Sequence, residues 1–188
     1  YCYERLGHEE QAVEFYQDCL KFKNYLQLPR QRIAAIHFKN GRLEKTTAEY
    51  ELLSKEYPDD ISTLLILGYL YIAEKKYHNA IETFNKAILI HPDNFDADYD
   101  DLDEMINQGS VSDALEYLEN LHGQNPERAD VLLKQADLMS KFGTEEEAIE
   151  IYEQVVRMRP DYLEAAIKLG TQYLQMGKFN SAAAHFNK

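Results

Sequence analysis

Between Ile61 and Asn94 the apolar positions recur at steps of three and then four residues, first over Leu64, Leu67, Tyr71 and Ile72, then over Ala80, Ile81, Phe84, Ala87 and Ile88. That spacing predicts two amphipathic helices. Asp60 is placed to cap the first, and Pro92 stops the second. Small residues (Gly68, Ala80, Ala87) stand where two helices would cross closely, and large ones (Tyr71, Tyr77, Phe84) stand beside them to fill the gap. One helix pair cannot bury both of its faces, so it needs copies of itself stacked alongside.

The copies are present. Sliding the unit by 34 residues covers the chain without an insertion or deletion, as 1–26, 27–60, 61–94, 95–128, 129–162 and 163–188, the first and last being partial. The phase of Pro92 is occupied by Pro58, Pro126 and Pro160, and the phase of Lys75 by Gly7, Gly41, Gly109, Gly143 and Gly177, where the chain must turn back. Ala80 aligns with Ala12, Thr46, Ala114, Ala148 and Ala182, and Phe84 with Tyr16, Tyr50, Leu118, Tyr152 and Phe186. Pro29 falls in the first turn of a helix, where proline is tolerated. Thr144 with Glu147 reads as a capping box, and Ser110 with Asp113 as a weaker one. Cys2 and Cys19 fall at phases that are mostly apolar in the other copies, so packing is expected of them rather than a disulfide or a metal.

A 34-residue helix-turn-helix period with this pattern resembles the tetratricopeptide repeat. The likeness is sharpest in the third copy (Leu67-Gly68, Tyr71, Tyr77, Ala80, Phe84, Ala87, Pro92) and the sixth (Leu169-Gly170, Tyr173, Gly177, Phe179, Ala182, Phe186). The second and fourth depart from it. His37 and Met105 stand in the phase of Tyr71, and Asp98 and Asp101 in the phases of Leu64 and Leu67, so their first helices should pack less well. The resemblance implies an all-α fold, a right-handed α-solenoid of four complete and two partial repeats. Tyr1 lies mid-helix and Lys188 near a helix end, so the chain reads as a fragment of a longer protein, with apolar ends able to stack head to tail.

Composition changes this picture little. The 188 residues are 45% hydrophobic, and the longest near-apolar stretch, Leu64 to Ala73, falls far short of the roughly 20 residues a membrane-spanning helix needs. No signal segment is visible, which leaves a cytoplasmic location as the default. No phosphate-binding glycine loop, His-Glu-x-x-His or nucleophile elbow is present, so the chain is expected not to be an enzyme and to need no cofactor. The six histidines occupy six different phases and cannot share a metal. Asp96, Asp98 and Asp100 imitate the start of a calcium loop, but Asp101 replaces its glycine and Asn107 its bidentate Glu.

Charge does change it. Between Ala87 and Glu127 there are eleven acids and no Lys or Arg, whereas Lys21 to Lys45 holds seven basic residues against Glu44 alone. An overall pI near 4.9 argues against nucleic acid as a partner. By the resemblance, first helices line a concave groove whose residues are Phe38 in the second copy, Leu65, Tyr69 and Ile72 in the third, Asp96, Tyr99 and Asp103 in the fourth, and Leu133 and Asp137 in the fifth. The implied function is a protein-protein interaction scaffold holding a peptide or partner protein in that groove. Its acidic end suits a basic segment flanked by apolar anchors. The alternative is a regulatory or substrate-recruiting segment of a larger enzyme or secretion complex. The Lys/Asn pairs with which chaperone-binding repeats clamp an acidic tail have no match at Gln31/Ala35, Leu65/Tyr69, Tyr99/Asp103, Leu133/Asp137 or Ile167/Thr171.

Overall fold

The computed structural model describes residues 2–90 and 99–186. Among the described residues every regular element is an α-helix. Two compact units divide the chain, Tyr1–Ile90 and His91–Lys188. The first holds α1 (Cys2–Arg5), α2 (Glu9–Phe22), α3 (Gln27–Lys39), α4 (Leu43–Glu56), α5 (Ile61–Ala73) and α6 (Tyr77–Ile90). The second holds α7 (Asp100–Asn107), α8 (Val111–Gln124), α9 (Ala129–Phe142), α10 (Glu145–Met158), α11 (Leu163–Gln175) and α12 (Phe179–Phe186). Within each unit a helix packs on its predecessor and its successor in the chain, the nearest-neighbour order of stacked helix pairs. The two poorer first helices differ in outcome: α3 is full length, while α7 has eight residues and buries Leu102 among the described side chains.

Close crossing of paired helices fixes the core. Gly68 of α5 lies against the ring of Phe84 of α6, so close that a Cβ would collide with it, and Gly170 of α11 meets Phe186 of α12 in the same way. Ala12, Ala80, Ala114, Ala148 and Ala182 are buried at the corresponding crossings. The turns obey the same economy of shape. Gly7, Gly41, Gly109 and Gly177 adopt left-handed backbone, and at Gly41 the turn closes by its N–H and that of Arg42 donating to the carbonyls of Phe38 and His37. Lys75 takes φ 60° in the equivalent turn, at a cost of about 1 kcal/mol for an L side chain. Gly143 does not: its φ is −111°, and what a side chain would meet there is crowding, a Cβ lying 3.1 Å from the Met139 carbonyl oxygen.

Capping follows the sequence unevenly. The Thr144 hydroxyl accepts the Glu147 N–H, as the capping box predicts. Asp60 and Ser110 stand at N-caps but make no side-chain cap bond; the Asp60 carboxylate is taken up by Thr63 Oγ1 at 2.6 Å and Gln27 Nε2 at 3.0 Å. Cys2 is exposed rather than packed, and Cys19 is half-buried.

Two junctions between successive pairs, α4–α5 and α10–α11, are tied by a second device. Tyr71 of α5 donates to Glu51 of α4 at 2.8 Å, and Tyr173 of α11 to Glu153 of α10 at 2.5 Å. Burial first, and then the carboxylate, pushes both phenols up to about 12. Between α2 and α3 this tie is missing. His37, 8% exposed, stands in the phase of those tyrosines, its Nδ1 has no hydrogen-bond partner, and Gln17 stands in the phase of the glutamates. A cleft of about 640 Å³ opens there, lined by Glu9, Glu10, Glu14, Gln17, His37, Arg42, Lys45 and Glu49 among others. Burial, then the Lys45 charge, holds the His37 pKa below the ordinary 6.5, with Glu49 acting in the opposite direction and Arg42 reinforcing Lys45.

Two expectations follow for unfolding. Gly68→Ala should cost about 1–3 kcal/mol by overpacking on Phe84, while Gly123→Ala, in open space on α8, should gain about 0.5–1 kcal/mol from helix propensity; urea midpoints of the two variants test this. A His with a depressed folded pKa stabilises the protein above its unfolded pKa and loses that stability as pH falls. The urea midpoint should therefore decline as pH drops below about 6.5, with a shallower decline in His37→Tyr/Gln17→Glu, which restores the tyrosine-glutamate tie.

Candidate functional site

On the N-terminal unit the first helices expose an apolar face. Helix α3 has no Asp or Glu, and α5 has no charged residue at all. Helix α5 buries Thr63, Leu64, Leu67, Gly68, Leu70 and Tyr71 on one side, yet its other side reads Leu65, Ile66, Tyr69 and Ile72. A helix that is apolar all round is normally enclosed all round. Here it is not: Ile66 is 39% and Tyr69 41% exposed, and on α3 Leu28 is 62% and Phe38 63% exposed. Leu65 and Ile72 are half-buried. The Tyr69 ring leans edge-on against Phe84 at 5.6 Å, which steadies its orientation while leaving an edge uncovered.

On the C-terminal unit the corresponding face is polar and internally paired. Tyr99 donates to Asp130 at 2.8 Å, Arg128 binds the same carboxylate at 2.5 Å, and the Lys134 ammonium lies 5.5 Å from the centre of the Tyr99 ring. Burial raises the Tyr99 pKa and Asp130 raises it further. For Asp130, burial works against the charge, but the bonds from Arg128 and Tyr99 win and hold its pKa below the usual carboxylate value. A second cluster joins three helices. Asp137 of α9 accepts from Tyr152 of α10 at 2.8 Å and from Lys168 of α11 at 2.6 Å, and Lys168 also binds Glu164 at 2.7 Å. Burial disfavours the Lys168 ammonium, but Asp137 and Glu164 more than offset it, so its pKa rises.

The residues expected from sequence thus fall into different settings. Phe38 is exposed on α3 and Tyr69 on α5, with Leu65 and Ile72 half-buried on α5. Asp103 is exposed on α7, and Tyr99 and Asp137 are engaged as just described. Leu133 requires a correction: at 3% exposure it sits in the core with Ala136, Tyr152 and Leu169, so it has no free surface with which to hold a ligand. Asp96 lies outside the described residues. Sequence reasoning missed the cations that neutralise the acids, Arg128 and Lys168. Lys168 lies 31 residues from Asp137, and only the stacking of α9 on α11's side of the unit makes them partners. It also missed Leu28 and Ile66.

Among the described residues no group of His, Cys, Asp and Glu could hold a metal, and no helix is long and apolar enough to cross a membrane. Two models of the tetratricopeptide repeat match the sequence, one over residues 1–25 and 61–94 and the other over 104–162, together more than half of the chain. The chain belongs to the tetratricopeptide-repeat family. A TPR repeat-containing protein of Methanocaldococcus jannaschii is 26% identical over 167 residues, covering 82% of this chain but 29% of its own length, so the chain spans less than a third of that relative. Similar solved structures include MamA from Desulfovibrio magneticus, at 18% identity over 94% of this chain and 92% of that one with a TM-score of 0.43. A tetratricopeptide repeat protein from Parabacteroides merdae is 21% identical over 98% and 72%, with a TM-score of 0.44. YrrB, described as a TPR protein with an unusual peptide-binding site, is 17% identical over 93% of each chain with a TM-score of 0.39. At these scores the likenesses add nothing to the assignment, which rests on the repeat models and the helix pairs.

The Asp137 cluster is expected to serve stability. Lys168→Met leaves a partly sheltered carboxylate with one donor fewer and should cost about 1–2 kcal/mol. A double-mutant cycle with Asp137→Asn, read from urea unfolding, should show coupling of about 0.5–1.5 kcal/mol.

Proposed function

We propose that this tetratricopeptide-repeat chain is a protein-binding scaffold, without catalysis of its own, in which the first helices of the N-terminal unit hold the partner. One observation carries the reading: large apolar side chains stand exposed on α3 and α5, the two helices of that unit with no acidic residue. A patch of this kind on an otherwise charged protein is the usual mark of an interaction surface. Phe38 and Tyr69 are the anchors, and Leu65 and Ile72 complete the floor between them. Rings of this size, held at low entropic cost, supply most of the energy in protein recognition.

The expectation that a basic segment binds the acidic first helices has less to stand on. Asp137 is bound by Lys168, and Asp130 by Arg128, so both are neutralised within the unit; on α7 Asp103 stays exposed with its neighbours Asp101 and Glu104, and Asp96 lies outside the described residues. A second reading, that the chain is the recruiting segment of a larger protein, is favoured by the length of its Methanocaldococcus relative. The two are compatible, since recruitment would use the same face.

Panning a displayed library of random peptides against the chain tests the reading. Clones that bind should lose at least about tenfold in affinity, roughly 1.4 kcal/mol, on Phe38→Asp/Tyr69→Asp, with the helical circular dichroism of that variant unchanged. Clones that bind the folded double variant as well as the parent would overturn it.

A further inference from the structure

The cleft beside His37 has walls of opposite charge and a floor that ends on an unpartnered nitrogen. Part of the charge lining it is spent: Glu9 accepts from Lys39 and Asn40 at 2.6 Å each, and Glu49 is bound by Arg30 at 3.3 Å. The rest is not. Glu10 and Glu14 stand on α2, Arg42 and Lys45 at the start of α4, all exposed, and among the described residues none of these side chains makes an ion pair or a hydrogen bond. Between the two walls lies His37, 8% exposed, its Nδ1 buried and without a partner. The Arg42 N–H closes the turn on the His37 carbonyl at 2.9 Å, which ties the cationic wall to the imidazole.

A protein interior seldom leaves such a nitrogen unmatched. At the α4–α5 and α10–α11 junctions this phase of the array carries a phenol on a carboxylate, Tyr71 on Glu51 and Tyr173 on Glu153. Here His37 and Gln17 replace both members and line the cleft instead. Its volume of about 640 Å³ falls within the roughly 300–1,000 Å³ of small-molecule sites. Solvated charge of one sign needs no ligand. Charges of both signs on facing walls, with a buried nitrogen between them, match a molecule that carries both signs and a third polar group. We propose that the cleft binds a free α-amino acid with an uncharged, hydrogen-bonding side chain: its carboxylate on Arg42 and Lys45, its ammonium on Glu10 and Glu14, its side chain on His37 Nδ1. The Arg42 guanidinium suits a carboxylate by its fork of donors. The imidazole, kept uncharged at neutral pH by burial and by Lys45, meets a hydroxyl or an amide without adding charge to the cationic wall. Val13 and Ile36 give the rest of the side chain an apolar lining. This site is separate from the Phe38 and Tyr69 anchors and goes beyond the protein-binding reading, so either fails without the other.

Tyrosine is the first probe, because it carries the phenol that this junction lacks, and glutamine the second. Titrated into the isotope-labelled chain, they should shift the His37 ring signals and the amides of Glu10, Arg42 and Lys45 saturably in nuclear magnetic resonance spectra. Tyramine, which lacks the carboxylate, and 3-(4-hydroxyphenyl)propionate, which lacks the ammonium, should each bind at least about tenfold more weakly than tyrosine. His37→Tyr/Gln17→Glu, which fills the junction with its own phenol, should lose at least about tenfold in affinity while its urea midpoint holds or rises, so that the loss is not one of folding. Arg42→Gln/Lys45→Gln should weaken tyrosine but not tyramine, and Glu10→Gln/Glu14→Gln should weaken tyrosine but not the propionate. Binding of neither amino acid at millimolar concentration overturns the proposal. So do one-charge analogues that bind as tightly as tyrosine, wall variants that bind like the parent, or shifts confined to residues outside the cleft.

Discussion

Everything in this molecule depends on how closely the two helices of a pair can cross. In α5/α6 and α11/α12 the Gly68–Phe84 and Gly170–Phe186 contacts set that distance, because a ring occupies the space that a Cβ would have taken. Once the pair is that tight, the large residues beside the crossing interlock, the turn between the helices must be short, and left-handed backbone at Gly41 or Gly109 becomes the economical way to make it. The side chains left on the outer flank of each first helix have no mate within the pair. They are free to pack on the next pair or to meet a partner, and the two units divide on this point.

The N-terminal unit leaves its outer flank apolar, and the C-terminal unit fills its own with ion pairs. Neither arrangement follows from the repeat, which specifies only inward positions. Asp137, Lys168, Glu164 and Tyr152 show what the polar solution does: desolvated charges are tolerable because each has its counterpart in reach, and the price is a surface with little left to offer a ligand. The apolar solution does the reverse, leaving surface that gains free energy when something covers it.

The sequence was legible wherever periodicity carried the message. The 34-residue register placed the turns at Gly7, Gly41, Gly109 and Gly177 and predicted the buried alanines, since one period constrains all copies together. It marked α5 as the apolar middle of the groove, through Leu65, Tyr69 and Ile72, while it read α3, with Phe38 beside Lys39, as mixed and basic. It failed where a residue's fate depends on a neighbour one copy away. Leu133 looks like a groove residue by phase, but its inward neighbours claim it, and Asp137 looks like free charge until Lys168 is seen beside it. Caps failed for a related reason: Asp60 had a better acceptor role with Gln27, contributed by a different helix pair.

His37 gives the stack a mechanical character that its regular register conceals. In an array where each pair touches only its neighbours, cooperativity passes through the seams between them, and a seam without its tyrosine-glutamate tie transmits less of it. The α2–α3 seam is in that condition, with a buried imidazole nitrogen unpartnered and open space alongside. What binds the helices before it to α3 is instead a surface carboxylate, Glu9, held by Lys39 and Asn40 at 2.6 Å each. Amide hydrogens of α2 are expected to exchange sooner than those of α5.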